Sequence, residues 1–222
     1  MFGAGCAGTQ NPALNGAEIT LDENAGTAFL NDASQLSRTP IHKHIVLTQD
    51  PNAQLLAALR NELSLASEEG RPVNIGAARH SMGGQSIPRN GHAITLNNGL
   101  VEPGNRVYRA HAGARWRDVF AALDPVGPSP KVMQSNNDFG VAASFSVNAH
   151  GWPTAHGPMG STVRSIKILM ADGSHVTASS RENSDIFHAA MGGYGLIGLI
   201  TELEIDAVPN TQVNPHSRVM PA

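Results

Sequence analysis

The chain has 222 residues, enough for one domain or two small ones, and its 41% hydrophobic and 15% charged residues are typical of a globular protein. Its formal net charge of −3 gives no support for a nucleic acid or an anionic membrane as a partner, because both need a clustered basic face. No apolar run is long enough to span a bilayer, so no transmembrane segment is expected.

The chain contains one cysteine, Cys6, which excludes an internal disulfide and a metal site built from several thiolates. The residues around it read GAGCAG and resemble the end of a bacterial lipoprotein signal, in which the cysteine is acylated. The apolar segment that normally precedes this cysteine is missing. Two interpretations stay open: a bacterial protein that is exported or lipid-anchored through Cys6, or a disordered Gly/Ala-rich amino terminus.

The first part of the chain predicts a loose segment and then a strand. Residues 1–40 are rich in Gly, Asn, Ala and Thr, and predict a flexible lead-in with at most one short helix or turn. Residues 41–48 predict a strand. Asp50 and Pro51 follow as a helix N-cap and a proline at the first helical position, so a helix should begin there.

That helix and a second strand lead to a glycine-rich stretch. Apolar residues recur at helical spacing over residues 52–69, with Gly70 as the stop signal, and residues 72–75 predict the strand. Residues 74–86 read NIGAARHSMGGQS, in which small residues allow backbone N–H groups to approach a ligand closely. This stretch follows the carboxyl end of a strand, which is the usual ligand position in an α/β sheet.

The rest of the chain alternates predicted strands and short helices. Strands are expected at residues 92–96, 106–112, 163–171, 175–179 and 199–205. Helices are expected at residues 115–123, 141–147 and 186–191, and prolines 125, 128 and 130 predict a loop. The mixture predicts an α+β fold with lobes at about residues 41–100 and 107–208, followed by a polar tail at 209–222.

Three turns of small residues, at 76–86, 134–151 and 192–198, favour a large flat ligand that carries phosphate and is held mainly by backbone. One such cluster alone could be only a tight turn. The best dinucleotide-type glycine pattern, at residues 193–198, opens a strand rather than a helix, and the phosphate-loop signature ending in Gly-Lys-Ser/Thr is absent. A nucleotide cofactor bound by another route is therefore expected.

Two histidines near the start of the first lobe, His42 and His44, alternate on a predicted strand. They could in principle bind a metal, but no acidic partner or third ligand lies near them in sequence, so no metal site is expected. Trp116 and Phe120 are expected in the core.

Taken in order, these motifs resemble the FAD-binding domain of flavoproteins of the vanillyl-alcohol oxidase and p-cresol methylhydroxylase (PCMH) type. Residues 76–81 resemble the pyrophosphate loop of that family, and residues 139–151 resemble its second FAD segment. Residues 163–174 resemble its strand ending in Ala-Asp-Gly, and residues 192–201 its final flavin-contacting strand. The resemblance implies a PCMH-type domain of two α/β lobes that binds FAD.

The resemblance also implies which residues contact the cofactor. They are Ala77, Ala78, Arg79, His80, Ser81, Met82, Gln85, Ser86, Asn137, Asp138, Val141, Ala142, Ser144, Phe145, Asn148, His150, Gly151, Gly195, Gly198 and Ile200.

The Arg-His-Ser form of the loop is similar to that of the alditol oxidase and sugar-lactone oxidase branch, in which the histidine carries the flavin through a bond to its 8α-methyl carbon. This similarity implies that His80 attaches FAD covalently, a role that suits a nucleophilic neutral imidazole. In the alternative, His80 only hydrogen-bonds FAD or the loop. Arg79 faces either the pyrophosphate or solvent, and His150 either contacts flavin or fixes the turn at Gly151.

Members of this family continue into a substrate domain that caps the flavin and supplies the catalytic base. That domain is expected to be absent from this chain, or to lie on another polypeptide, so no catalytic residue is assigned. The implied function is oxidation of an alditol, a sugar lactone or a similar alcohol by hydride transfer to flavin, with oxygen or another electron acceptor. The alternative is an FAD-binding module or fragment without activity of its own.

Overall fold

The computed structural model describes residues 20–22, 27–48, 53–151, 155–211 and 216–217. In chain order, the strands β1 to β12 are Thr20–Asp22, Thr27–Leu30, Thr39–Ile41, Lys43–Leu47, Val73–Gly76, His92–Leu96, Val101–Glu102, Val107–His111, Pro128–Pro130, Val163–Leu169, His175–Ser179 and Leu199–Pro209. The helices α1 to α4 are Ala53–Glu68, Trp116–Leu123, Val141–Ser146 and Ser184–Ala190. No described helix has the length and apolar character needed to cross a membrane.

The first lobe contains a small parallel sheet in the order β4-β6-β5. Ile45, Ile94 and Ile75 lie side by side across it, and helix α1 buries Leu55 and Leu59 against the same core. The predicted order of strand, helix and strand is confirmed here, and the left-handed φ of +63° at Gly70 follows the end of α1. The predicted N-cap at residues 50–51 lies outside the described residues, as does Cys6.

The second lobe is an antiparallel sheet in the order β11-β10-β12-β8-β7, with β9 added to the far end of β12. The predicted hairpin between β10 and β11 is confirmed, and β12 is longer than the predicted strand because its last residues pair with β9. The two lobes share one buried cluster, in which Leu59 and Ile94 join Trp116 and Ile168. The predicted burial of Trp116 is confirmed, whereas Phe120 is only half-buried.

Two expectations about local structure are wrong. Within residues 1–40, strands β1, β2 and most of β3 form an antiparallel sheet instead of a helix or turn, and Leu30 and Ile41 pack with Ile87 and Ala93. Residues 128–130 form strand β9 rather than a loop. Prolines fit there because β9 is an edge strand, in which a missing N–H costs little. The division of the chain into a lead-in, a domain and a tail stays a prediction.

Candidate functional site

A groove runs between the loop that follows β5, helix α3 and the segment that leads into β12. One part of it is lined by residues of all three segments, including Ala77, Ala143 and Gly198. The adjoining part of the groove is lined by residues that include His80 and Phe139. The groove therefore brings together the three small-residue turns that the sequence singled out.

Small side chains give the groove its width. Ala112, Ala142 and Ala143 form part of its wall, and the Ala143 side chain is exposed to it. Ser86 lines both parts of the groove, and its buried Oγ has no hydrogen-bond partner among the described residues. A buried hydroxyl without a partner is costly, so this atom indicates a polar ligand in the groove.

Arg79 holds the loop from beneath. Its guanidinium donates to Asn74 Oδ1 at 3.0 Å, to the Ile94 carbonyl at 2.8 Å and to the Ser86 carbonyl. A Cβ at Gly76 would lie 3.0 Å from Arg79 Cζ, so a larger residue there would push the guanidinium by a few tenths of an ångström. Burial lowers the pKa of Arg79 to about 10, which leaves it charged at neutral pH. Its side chain is buried, so it does not face solvent.

The amino-terminal segment braces the same loop from outside. Asp32 is buried, and its Oδ2 accepts the Gly84 N–H at 3.3 Å. The Ala33 N–H donates to the Arg79 carbonyl at 2.9 Å. The segment between β2 and β3 thus fixes the loop conformation, a role that composition alone did not indicate.

His80 pairs with Asp138 at the edge of the groove. His80 Nε2 lies 2.6 Å from Asp138 Oδ2, and the imidazole packs against Phe139 with ring centres 4.8 Å apart. Arg115 Nη1 and Arg117 Nη1 donate to Asp138 Oδ1 at 2.6 and 2.8 Å. Burial raises the pKa of Asp138, but the hydrogen bonds from His80 and Arg115 outweigh it and hold that pKa below its ordinary value. Asp138 is therefore a carboxylate at neutral pH.

The first turn of α2 positions Asp138. The Trp116 N–H donates to the Phe139 carbonyl at 3.1 Å, and the Arg117 N–H donates to the Asn137 carbonyl at 2.7 Å. These bonds hold the backbone on both sides of Asp138, so its carboxylate points at His80.

Twelve of the residues predicted to contact a cofactor line the groove: Ala77, Ala78, Arg79, His80, Ser81, Gln85, Ser86, Ala142, Ser144, Gly195, Gly198 and Ile200. The other eight lie elsewhere. Val141 and Phe145 are fully buried in the core, while Met82 and Asn137 are exposed away from the lining. Asp138 does not line the groove, but it is hydrogen-bonded to His80, which does. All twenty assignments stay predictions of contact.

The remaining three residues support the turns around α3. Asn148 Oδ1 accepts the Gly160 N–H at 2.9 Å, and a Cβ at Gly151 would lie 2.7 Å from the Met133 carbonyl. His150 is exposed, and its Nδ1 lies 3.3 Å from the Gly151 carbonyl. This geometry favours the interpretation of His150 as the residue that fixes the turn.

The sequence reasoning missed several lining residues. Ala112, Ala143, Val147 and Tyr194 line the groove but were not among the predicted contacts, although the last three lie within the small-residue turns. Val147 directly follows α3, and its N–H donates to the Ala143 carbonyl at 3.0 Å, so the two side chains lie one turn apart along the groove. Ala112 follows β8 and is brought to the groove only by sheet pairing.

Replacing Arg79 with Met is expected to lower the free energy of unfolding by about 3 kcal/mol, because several buried acceptors lose their donor. Urea denaturation followed by circular dichroism measures the change. Arg106→Met, which removes an exposed arginine, is the control and should change stability by less than about 0.5 kcal/mol. Equal stability of the two variants would contradict the bracing role of Arg79.

Comparison with known proteins matches a stretch that includes two of the three segments of the groove. A sequence model of the family described as "FAD binding domain" matches residues 53–179. Cytokinin dehydrogenase 9 of Oryza sativa subsp. japonica is 29% identical over 214 residues, which cover 91% of this chain and 41% of that protein.

Other relatives match over shorter stretches. Cytokinin dehydrogenase 5 of Arabidopsis thaliana is 29% identical over 150 residues, which cover 64% of this chain and 28% of that protein. Alditol oxidase of a Streptomyces species is 28% identical over 116 residues, which cover 52% of this chain and 28% of that protein. The chain therefore spans 28% to 41% of the length of these three relatives.

Proposed function

Because this chain belongs to the FAD binding domain family, we propose that its groove holds FAD and that the chain is the cofactor-binding part of an FAD-linked oxidoreductase. The observation that carries the proposal is the small-residue groove with the unpartnered Ser86 hydroxyl. When bound, FAD supplies a ring system that accepts a hydride from a hydroxyl-bearing carbon.

The groove suits the two chemical parts of FAD. The loop at residues 76–81 and the charge of Arg79 beneath it favour the anionic pyrophosphate. Ala142 and Ala143 on α3, together with Gly198, leave room for a flat ring system. Larger side chains at these positions would fill the space that the ring needs.

We propose that His80 attaches the flavin through its Nδ1. Since Asp138 is an ionised carboxylate, it accepts a hydrogen bond from His80 Nε2–H, and in that tautomer of the neutral imidazole the lone pair is on Nδ1. With FAD bound, Nδ1 would be the nucleophile for the 8α-methyl carbon; forming that bond would release one methyl hydrogen as a proton and pass two electrons to the electron acceptor, such as oxygen. The alternative is that His80 only hydrogen-bonds a noncovalent FAD, as in a noncovalent dehydrogenase of the same fold.

The proposed substrate is a small hydroxylated molecule such as an alditol or a sugar lactone, with oxygen or another compound as the electron acceptor. The alditol oxidase similarity supports the first class, and the two cytokinin dehydrogenases justify adding cytokinins to any substrate panel. We propose that the residues that select the substrate and act as the catalytic base lie outside the FAD-binding domain. The second candidate, an FAD-binding module without turnover, rests on the partial coverage of the relatives.

Purified chain is expected to be yellow, or to bind added FAD at one molecule per chain with quenching of flavin fluorescence. Anaerobic addition of alditols, aldonolactones and cytokinins then tests the reaction, because hydride transfer bleaches the flavin absorbance. Free FAD with the same substrates is the control. Bound but unbleached flavin favours the module without turnover, and failure to bind FAD overturns the proposed function.

A further inference from the structure

Three side chains with metal-ligand chemistry meet at the end of the small parallel sheet opposite the FAD groove. His42 precedes β4, His92 is the first residue of β6, and Glu69 follows α1. Parallel strands place their amino ends at one edge, whereas the groove loop follows the carboxyl end of β5. The cluster is therefore separate from the cofactor site.

The spacing of the atoms fits one small cation. His42 Nε2 and His92 Nε2 each lie 3.0 Å from Glu69 Oε2, and all three ligand atoms lie within 4.8 Å of one another. Ligand atoms on a tetrahedral zinc ion with bonds of about 2.0–2.1 Å are about 3.3 Å apart. We propose that His42, Glu69 and His92 bind a Zn²⁺-type ion, with the remaining coordination position open to water.

The buried carboxylate of Glu62 orients the His92 ring for metal binding. Glu62 Oε1 lies 2.6 Å from His92 Nδ1, and the side chains of His92 and Glu62 are only 2% and 4% exposed. Glu62 is held in turn by Lys43 Nζ at 2.7 Å from its other oxygen. When Glu62 Oε1 accepts a hydrogen bond from His92 Nδ1–H, Nε2 is the ring nitrogen left to bind a metal. A carboxylate bound to the remote nitrogen of a metal-ligating histidine is the usual arrangement at protein zinc sites.

The stacked imidazoles support the same arrangement. The rings of His42 and His92 stack 5.2 Å apart at an interplanar angle of 25°, and both Nε2 atoms lie 3.0 Å from the same Glu69 oxygen. Two nitrogens and one oxygen suit Zn²⁺ better than Mg²⁺ or Ca²⁺, which prefer oxygen ligands.

One competing cation lies at the cluster. Arg71 Nε is 3.2 Å from Glu69 Oε2. Without a metal, Arg71 is the cation beside Glu69, while Lys43 pairs with Glu62. Replacing Arg71 removes a competitor for Glu69. Metal binding should therefore become tighter if the cluster is a metal site, whereas a cluster held only by hydrogen bonds and ion pairs would lose a stabilising contact.

The test is calorimetric titration of the tag-free, chelator-treated full chain with Zn²⁺, and with Mg²⁺ for comparison. We expect one Zn²⁺ per chain and a higher melting temperature with Zn²⁺. His42→Ala and Glu69→Gln, which alter exposed side chains, should each weaken binding by at least about tenfold. Arg71→Gln should tighten it.

His188→Ala removes an exposed histidine on α4 and is the matched control, with unchanged Zn²⁺ affinity expected. Circular dichroism of each variant shows that the fold is retained. Absence of stoichiometric Zn²⁺ binding, or equal affinity in the His42 and Glu69 variants and the unaltered chain, would overturn the site. Equal affinity for Mg²⁺ would also overturn it.

Discussion

His80→Gln is expected to abolish flavin fluorescence of the denatured chain on a gel, while the unaltered chain keeps it. Only a covalent bond survives denaturation, and His80 Nδ1 is the atom we propose for it. Asp138 lies 2.6 Å from the opposite nitrogen, so it sets which nitrogen is free to react. Asp138→Asn should lower the attached fraction, because an amide no longer stabilises the required tautomer as an ionised carboxylate does.

His156→Gln is the control for this experiment, because His156 is exposed and lies outside the groove lining. It should retain full fluorescence on the gel. Noncovalent FAD binding by His80→Gln, measured before denaturation, separates loss of the bond from loss of the fold. If the unaltered chain binds FAD but shows no fluorescence on the gel, the covalent proposal is contradicted and FAD binding stands.

Ala143→Trp is expected to weaken FAD binding by about 100-fold while leaving the melting temperature of the chain nearly unchanged. The Ala143 side chain is exposed and lines both parts of the groove, so an indole there occupies ligand space rather than the core. Forcing a ligand against such an obstruction costs about 1–3 kcal/mol, and 100-fold corresponds to about 2.7 kcal/mol. Fluorescence titration with FAD measures the effect.

Ala121→Trp makes the same change at an exposed alanine on α2, away from the groove, and should leave FAD affinity within about twofold. Unchanged affinity in Ala143→Trp would show that the flavin lies elsewhere. A lower melting temperature in Ala143→Trp than in Ala121→Trp would instead indicate that the residue packs against the core.

The sequence predicted correctly those elements that depend on a local pattern of residues. Helical spacing identified α1 and placed its carboxyl end within a residue, and Asp172 with Gly173 identified the β10–β11 hairpin. The small residues around the loop at 76–81 pointed to the groove, because glycine and alanine leave space whatever their neighbours are. Arg79 was harder, since nothing local shows that its guanidinium turns inward.

Charged clusters required the tertiary structure. His80 and Asp138 are 58 positions apart, and they meet only because the first turn of α2 holds residues 137–139. His42 suggested no metal site on its own, because Glu69 and His92 reach it through the parallel pairing of β4 with β6 and the end of α1.

The sequence by itself determined the order of most strands and helices, the small-residue turns and the resemblance to a flavin-binding family, because those signals are periodic or local. Only the tertiary structure decided that part of the lead-in forms a sheet, that Arg79 is buried, and which charges face one another. Strand pairing and side-chain contacts of this kind depend on residues far apart in the chain, whose meeting is decided by the packing of the whole core.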